Sequence, residues 1–263
     1  MARIVTLSAY RFEGASRLWA LWQMGAARPS LMRRRGLAFW KLCGSGRGAG
    51  FRPSPDPGVA AILAAWDSPE AAAEGLARRP WSAWGARARE GCTLLLAPTA
   101  QRGAWSGRAP FGPGAAAAPA PGPVASITRA SIRPRAAARF WAHVPALDAL
   151  FGANGEALFG LGIGELPWIR QGTFTVWPSE AAMARYARTG AHAEAIAAVR
   201  RGDLFGEALY ARFAVLGADG TWRGRPPVPG ARPLAEALGT SAAGASGPRP
   251  APGGPGHRAA AAR

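Results

Sequence analysis

Two stretches of the chain, residues 1–107 and 124–224, run through the same order of strand-like and helix-like segments, and this repetition restricts the fold more than any other feature. In the first, "RIVTLSAYRF" alternates as a strand, and the residues after it set Leu18, Leu21, Trp22 and Gly25 on one helical face. "LAFWKLC" and "VAAILAAW" are paired strand-like runs, Ser68-Pro69-Glu70 begins a helix that leads towards Trp81 and Trp84, and "CTLLLAP" closes the set. The second stretch gives "VASITRASIR", the helix "RAAARFWAHVPALDAL", the strands "ALFGLGI" and "RQGTFTVW", the helix "SEAAMARYART" and the strand "ALYARFAVL". Trp66 answers Trp177, and Ser68 answers Ser179. Both stretches read βαββαβ, the ferredoxin-like unit. The expected fold is therefore α+β, with two tandem ferredoxin-like halves packed face to face as a dimeric-α/β-barrel-like unit within one chain.

Two segments stand outside the repeat. Residues 108–123 are expected to form a Pro/Gly/Ala-rich linker, and residues 225–263 a disordered tail, because neither holds enough large apolar side chains to offset the entropy of ordering. Arginine dominates a basic excess of 32 residues over 15 acidic ones, with Lys41 the only lysine. The arginines are scattered rather than gathered into a stripe, which argues against nucleic acid and favours an anionic bilayer or an acidic protein partner. Cys43 and Cys92 make neither a disulfide framework nor a metal motif, which favours a reducing cytoplasm. The N-terminus lacks the apolar run of a signal peptide, and no uninterrupted apolar run reaches a membrane span.

Histidine is scarce: His143, His192 and His257. His192 lies in "RTGAHAEAIAAVRRGDLF", opposite the Trp81–Ser82 region of the first half, so it belongs to one half only. Gly190 suits the end of the preceding helix and Thr189 the cap of a new one, in which His192, Ala195, Ile196 and Val199 share an apolar face. In a first helical turn the dipole disfavours a second ring proton, and neutral imidazole is what a metal ion needs. The flanking alanines leave room for something flat, such as a porphyrin. The other reading is a core histidine satisfied by backbone groups. His143 competes as a ligand, although Pro145 is expected to disrupt the helix around it. His257 falls in the tail.

No histidine pair has zinc-site spacing, and no Gly-x-Ser-x-Gly, Cys-His pair or close carboxylate pair points to hydrolysis. The loop "CGSGRGAGFRPSPDPG" imitates a dinucleotide fingerprint, but Pro53, Pro55 and Pro57 forbid the helix that would hold a pyrophosphate. It reads as a hairpin loop or as a lid over a pocket. Of the eleven tryptophans, Trp19, Trp22, Trp66, Trp84 and Trp177 are expected in the core, while Trp105 and Trp168 are freer to line an entrance or an interface.

The blocks "LWALWQMG" (18–25), "FWKLCGSGRGAGF" (39–51), "WSGRAPF" (105–111), "TRASIRP" (128–134), "GIGELP" (162–167), "RTGAHAEAI" (188–196) and "LYARFAVLG" (209–217) together resemble the spheroidene monooxygenase family, the carotenoid ketolases of purple phototrophic bacteria. The resemblance spans about residues 3–223. It implies two hydroxylations of an acyclic carotenoid at C2, giving a geminal diol that loses water to leave the ketone. It also implies haem as cofactor and reduced ferredoxin as electron donor, which suits a chain with no flavin or nicotinamide motif. Under that resemblance His192 is the candidate axial haem ligand, with Arg188 and Arg200 as candidate partners of the propionates. Both arginines are equally readable as solvated helix-face charges. A cofactor-free oxygenase of the same fold, a haem carrier without catalysis, and a basic interaction module remain as alternatives. A lipid-dissolved substrate implies a cytoplasmic protein that visits the inner or photosynthetic membrane peripherally.

Overall fold

A computed structural model describes residues 3–48, 50–112, 121–188 and 204–240. Eight strands are ordered among these: β1 (Ile4–Arg11), β2 (Leu37–Gly46), β3 (Pro55–Trp66), β4 (Glu90–Gly103), β5 (Val124–Ile132), β6 (Phe159–Leu166), β7 (Arg170–Trp177) and β8 (Phe205–Gly220). The helices are α1 (Ser16–Ala26), α2 (Arg28–Met32), α3 (Pro69–Leu76), α4 (Trp81–Arg87), α5 (Ala137–Ala153), α6 (Glu180–Arg188) and α7 (Leu234–Ala237). The strands close an antiparallel barrel in the order β1-β3-β2-β6-β7-β5-β8-β4. It is thus a mixed α/β fold built on an eight-stranded antiparallel barrel.

Strand alternation decides what enters the barrel. Leu7, Leu63, Leu94, Ile127, Phe174 and Phe213 point inward and are almost completely buried, which fills the interior with side chains. The opposite faces of the N-terminal strands carry Ile62, Ala64 and Trp66, covered by Trp81 and Trp84 of α4 and by Ala72 of α3. Ser68 starts α3 as expected, its hydroxyl accepting from the Ala71 amide at 3.2 Å. Even Thr6 and Ser8 on this outer face are fully buried, Thr6 accepting from Trp66 Nε1 at 2.9 Å and Ser8 sharing a hydrogen bond with Thr93.

A matched pair of turns caps the barrel. "WSGR" (105–108) follows β4 and "WRGR" (222–225) follows β8, each folded back by a Trp-to-Arg bridge. Each turn needs two consecutive residues at positive φ, Ser106-Gly107 and Arg223-Gly224, which is why a glycine sits third. Phe111 after the first turn and Val228 after the second then pack into the barrel core.

Several expectations are corrected here. The linker is not featureless, because Phe111 is fully buried in the barrel. The tail does not begin at residue 225: Val228 and Leu234 are buried and α7 packs beside β8, its Leu234 amide donating to Asp219. Trp105 lines no entrance; it is 1% exposed and sits in the core. Trp22, expected inside, is 64% exposed, because α1 packs through Ala20 on its other side. Pro145 does not break its helix, for α5 runs continuously past it.

Candidate functional site

The outer face of the C-terminal strands differs from its N-terminal counterpart. Strand pairing lines up Gly162, Thr173, Thr128 and Tyr210 in one row across β6, β7, β5 and β8, with Gly160, Thr175, Ser126 and Arg212 in the next. Thr128, Thr173 and Tyr210 are exposed. The corresponding row on the N-terminal strands, Leu42, Ile62, Ser8 and Thr93, lies largely beneath helices. The difference arises from α5. That helix is apolar, and yet among its described side chains only Val144 is buried. It is fastened near its ends, where Phe140 meets Phe205 and Phe151 meets Trp177 and Tyr186, and by an Arg52–Asp148 ion pair of 2.8 Å. Gly160 and Gly162 let neighbours pack directly on β6: a Cβ at 160 would strike the Phe151 ring of α5, and one at 162 the Gly50 carbonyl. What results is an exposed, mainly polar strip, Thr128, Thr173, Tyr210 and Arg212, beside an apolar helix that is fixed near both ends.

A second feature lies inside one end of the barrel. Arg129, 2% exposed, donates to Glu165 at 2.9 Å and also to Glu207. Glu165 receives two further hydrogen bonds, from Lys41 at 2.7 Å and from Trp105 Nε1 at 2.8 Å. Glu207 accepts the Ser106 and Gly107 amides of the capping turn. Burial alone would raise the Glu165 carboxyl, but the hydrogen bonds from Lys41 and Trp105 and the two nearby cations outweigh it and hold the carboxyl below the usual carboxylate range. Cys43 beside this cluster is pushed the other way by burial and by the Glu165 charge, so it is a neutral thiol and no nucleophile. The charges of the cluster are spent on one another and on the amides of the capping turn, and we assign it to closing the barrel.

The opposite end is cut differently. With β2 and β6 aligned on Phe39 and Phe159, Ser45 stands where the first end has Glu165, and Leu161 where it has Lys41. Losing that bulk leaves a cavity of about 450 Å³, lined by Arg11, Ser45, Val59, Leu161, Trp222 and Arg223. Gly46, Gly48 and Gly50 of the glycine-rich loop form part of its wall.

Of the residues singled out by sequence, Arg188 ends α6 and is exposed. His192 and Arg200 lie outside the described residues, in the stretch that joins α6 to β8. His143 falls in the middle of α5, with its side chain outside what is described. Among the described residues no three His, Cys, Asp or Glu side chains gather to hold a metal ion, and no helix is long and apolar enough to cross a membrane. Sequence reasoning missed Lys41, Arg129, Glu165 and Glu207. The repeated W-x-G-R spacing was the signal that marks their location.

The fold is that of an α/β barrel also seen in an aldoxime dehydratase crystallised with butyraldoxime, which aligns with a TM-score of 0.52 at 11% identity, covering 81% of this chain and 80% of that one. At that identity the likeness shows architecture alone. Sequence carries the relationship further. The spheroidene monooxygenase of Cereibacter sphaeroides is 42% identical over 252 residues, 94% of this chain and 76% of that protein, and the enzyme of Rhodobacter capsulatus is 42% identical over 229 residues, 86% and 95% respectively. No family model matches the chain. The chain belongs to the spheroidene monooxygenase family. Four of the sequence blocks that carried the resemblance supply Lys41, Trp105, Arg129 and Glu165, so the fold gathers them at one barrel end.

Proposed function

We propose that this carotenoid monooxygenase hydroxylates an acyclic, spheroidene-like carotenoid twice at C2, with haem seated on the open face of β5–β8 and electrons supplied by reduced ferredoxin. The observation that carries the cofactor assignment is the contrast between the two outer faces: one is sealed by tryptophans, and the other leaves Thr128, Thr173 and Tyr210 exposed beside an apolar helix. On this reading a flat group would lie with its face on these residues and its apolar edge towards α5. The strand order β4-β1-β3-β2 followed by β6-β7-β5-β8 supports reading the chain as two tandem ferredoxin-like halves, with residues 108–123 as their connection and the cofactor in the second.

His192 would hold the haem iron, and Arg188 and Arg200 would meet its propionates. Haem supplies the oxidising power that side chains lack for an unactivated C–H bond. Each round takes one O2, two electrons and two protons, converts C–H to C–OH and releases one water. The second round at the same carbon gives a geminal diol, and loss of water leaves the ketone. The protein's own contribution is to hold the polyene end in a dry, apolar setting while external electrons arrive.

Purified protein reconstituted with haem, reduced ferredoxin and O2 is expected to convert spheroidene to its 2-ketone through a mono-hydroxylated intermediate, followed by chromatography and mass. Equal conversion by haem-depleted protein would overturn the cofactor assignment. A haem-loaded protein that gives no oxygenated product would point to a carrier.

A further inference from the structure

The face of α1 that carries Leu18, Leu21 and Trp22 is turned to solvent, with relative exposures of 73%, 63% and 64%. Met32 at the end of α2 adds a fourth large apolar side chain, 76% exposed. The spacing 18, 21, 22 and 25 is one continuous helical stripe, whose last member, Gly25, is also exposed. The helix is attached to the barrel by another side: Ala20 is buried, and Trp19 and Met24 pack against Phe12, Leu31 and their neighbours. An apolar stripe of this size is not needed for folding and is costly to leave in water.

Within α1, α2 and the turn after them charge carries one sign, with Glu13 just before α1 paired to Arg89. From Ser16 to Gly36 the sequence has five arginines and no acidic residue. Arg17, Arg28, Arg33 and Arg35 are exposed around the stripe. Arg28 is held by its own helix through the Met24 carbonyl, which keeps the guanidinium at the rim of the apolar surface.

From these observations we propose that α1 and α2 form the docking surface for an anionic lipid bilayer, with Leu18, Leu21, Trp22 and Met32 entering the acyl boundary and the arginines meeting headgroup phosphates. A convex apolar stripe with a basic fringe is the pattern of an interfacial helix. A second copy is disfavoured by charge, because a two-fold contact through this stripe would bring one arginine fringe against the other. The inference rests on the reading that the substrate is dissolved in a membrane.

The test is flotation of the full-length protein with vesicles of phosphatidylcholine alone or with one third phosphatidylglycerol. Wild type is expected to float with the anionic vesicles, to stay behind with neutral ones, and to lose binding as salt is raised. Leu18→Ser/Leu21→Ser/Trp22→Ser, altered only at exposed positions, is expected to lose at least about tenfold in partitioning, while oxidising detergent-solubilised carotenoid at the wild-type rate. Arg33→Glu/Arg35→Glu is expected to weaken anionic-vesicle binding alone. Unchanged flotation of the triple variant, or no flotation of wild type, would overturn the proposal. So would a wild-type dimer by sedimentation that becomes monomeric in the triple variant without a change in flotation. Loss of detergent-phase activity by wild type itself would strike at the oxygenase reading instead, so the two failures are distinguishable.

Discussion

Replacing Glu165 with alanine is expected to destabilise the protein by about 3 kcal/mol, the low end for breaking a buried ion pair, because it leaves the buried Arg129 with Glu207 as its one remaining carboxylate partner. Arg129 is 3% exposed at its side chain and divides its donors between Glu165 and Glu207. Without Glu165 the Trp105 indole also loses its acceptor, and the Lys41 ammonium is left with the Ser106 hydroxyl alone. Urea unfolding at neutral pH measures the loss; a change below about 1 kcal/mol would mean that the cluster is solvated like a surface pair. The pH dependence has a definite sign. Glu165 is held below its ordinary range in the folded chain, so its contribution is complete above the unfolded carboxyl value, about 4.3, and is lost as pH falls through the lower folded value. Wild type should therefore lose part of its advantage over Glu165→Ala on acidification through that window, and Glu165→Gln should stand between the two at neutral pH.

The second large effect concerns the open face. Thr128→Trp, with Thr173→Leu beside it in the cross-strand pair, is expected to fill that face with the kind of bulk that Trp66 and Trp81 supply on the N-terminal side. Both positions are exposed, so thermal stability should stay within a few degrees of wild type. Haem uptake should fall by at least about a hundredfold, since the new side chains occupy the volume a flat group requires. Normal haem binding by this stable variant would move the site off the face.

Much of this architecture could be read from the chain because barrel strands alternate. "RQGTFTVW" became β7 over the expected span, and "VASITRASIR" became β5 to within one residue. Errors arose where periodicity alone does not say which face is inward. The α1 stripe was found correctly and yet faces solvent, because small Ala20 on the other side lets the helix lie close to β3 while Leu18, Leu21 and Trp22 are left over. Composition misled at Trp105, Phe111 and Val228. Single aromatic or branched residues in Pro/Gly-rich surroundings count for little in an average, yet each plugs the barrel. The charged cluster was hidden because its members are far apart in sequence, Lys41 and Glu165 being separated by 124 positions. Only the fold brings them together.

Of the candidate site, the sequence pointed to the second half and to a flat cofactor. The cofactor's proposed place is the exposed face beside α5. The continuous path of α5 through Pro145 also removes the geometric objection to His143, which leaves two histidines to be separated by experiment. The most direct measurement is the visible absorption and axial-ligand signature of haem-loaded wild type, His192→Ala and His143→Ala, recorded beside spheroidene turnover. A Soret band and turnover lost in His192→Ala but retained in His143→Ala is the expected result. An unchanged band and ligand signature in His192→Ala, with both lost in His143→Ala, would contradict it and place the iron under α5.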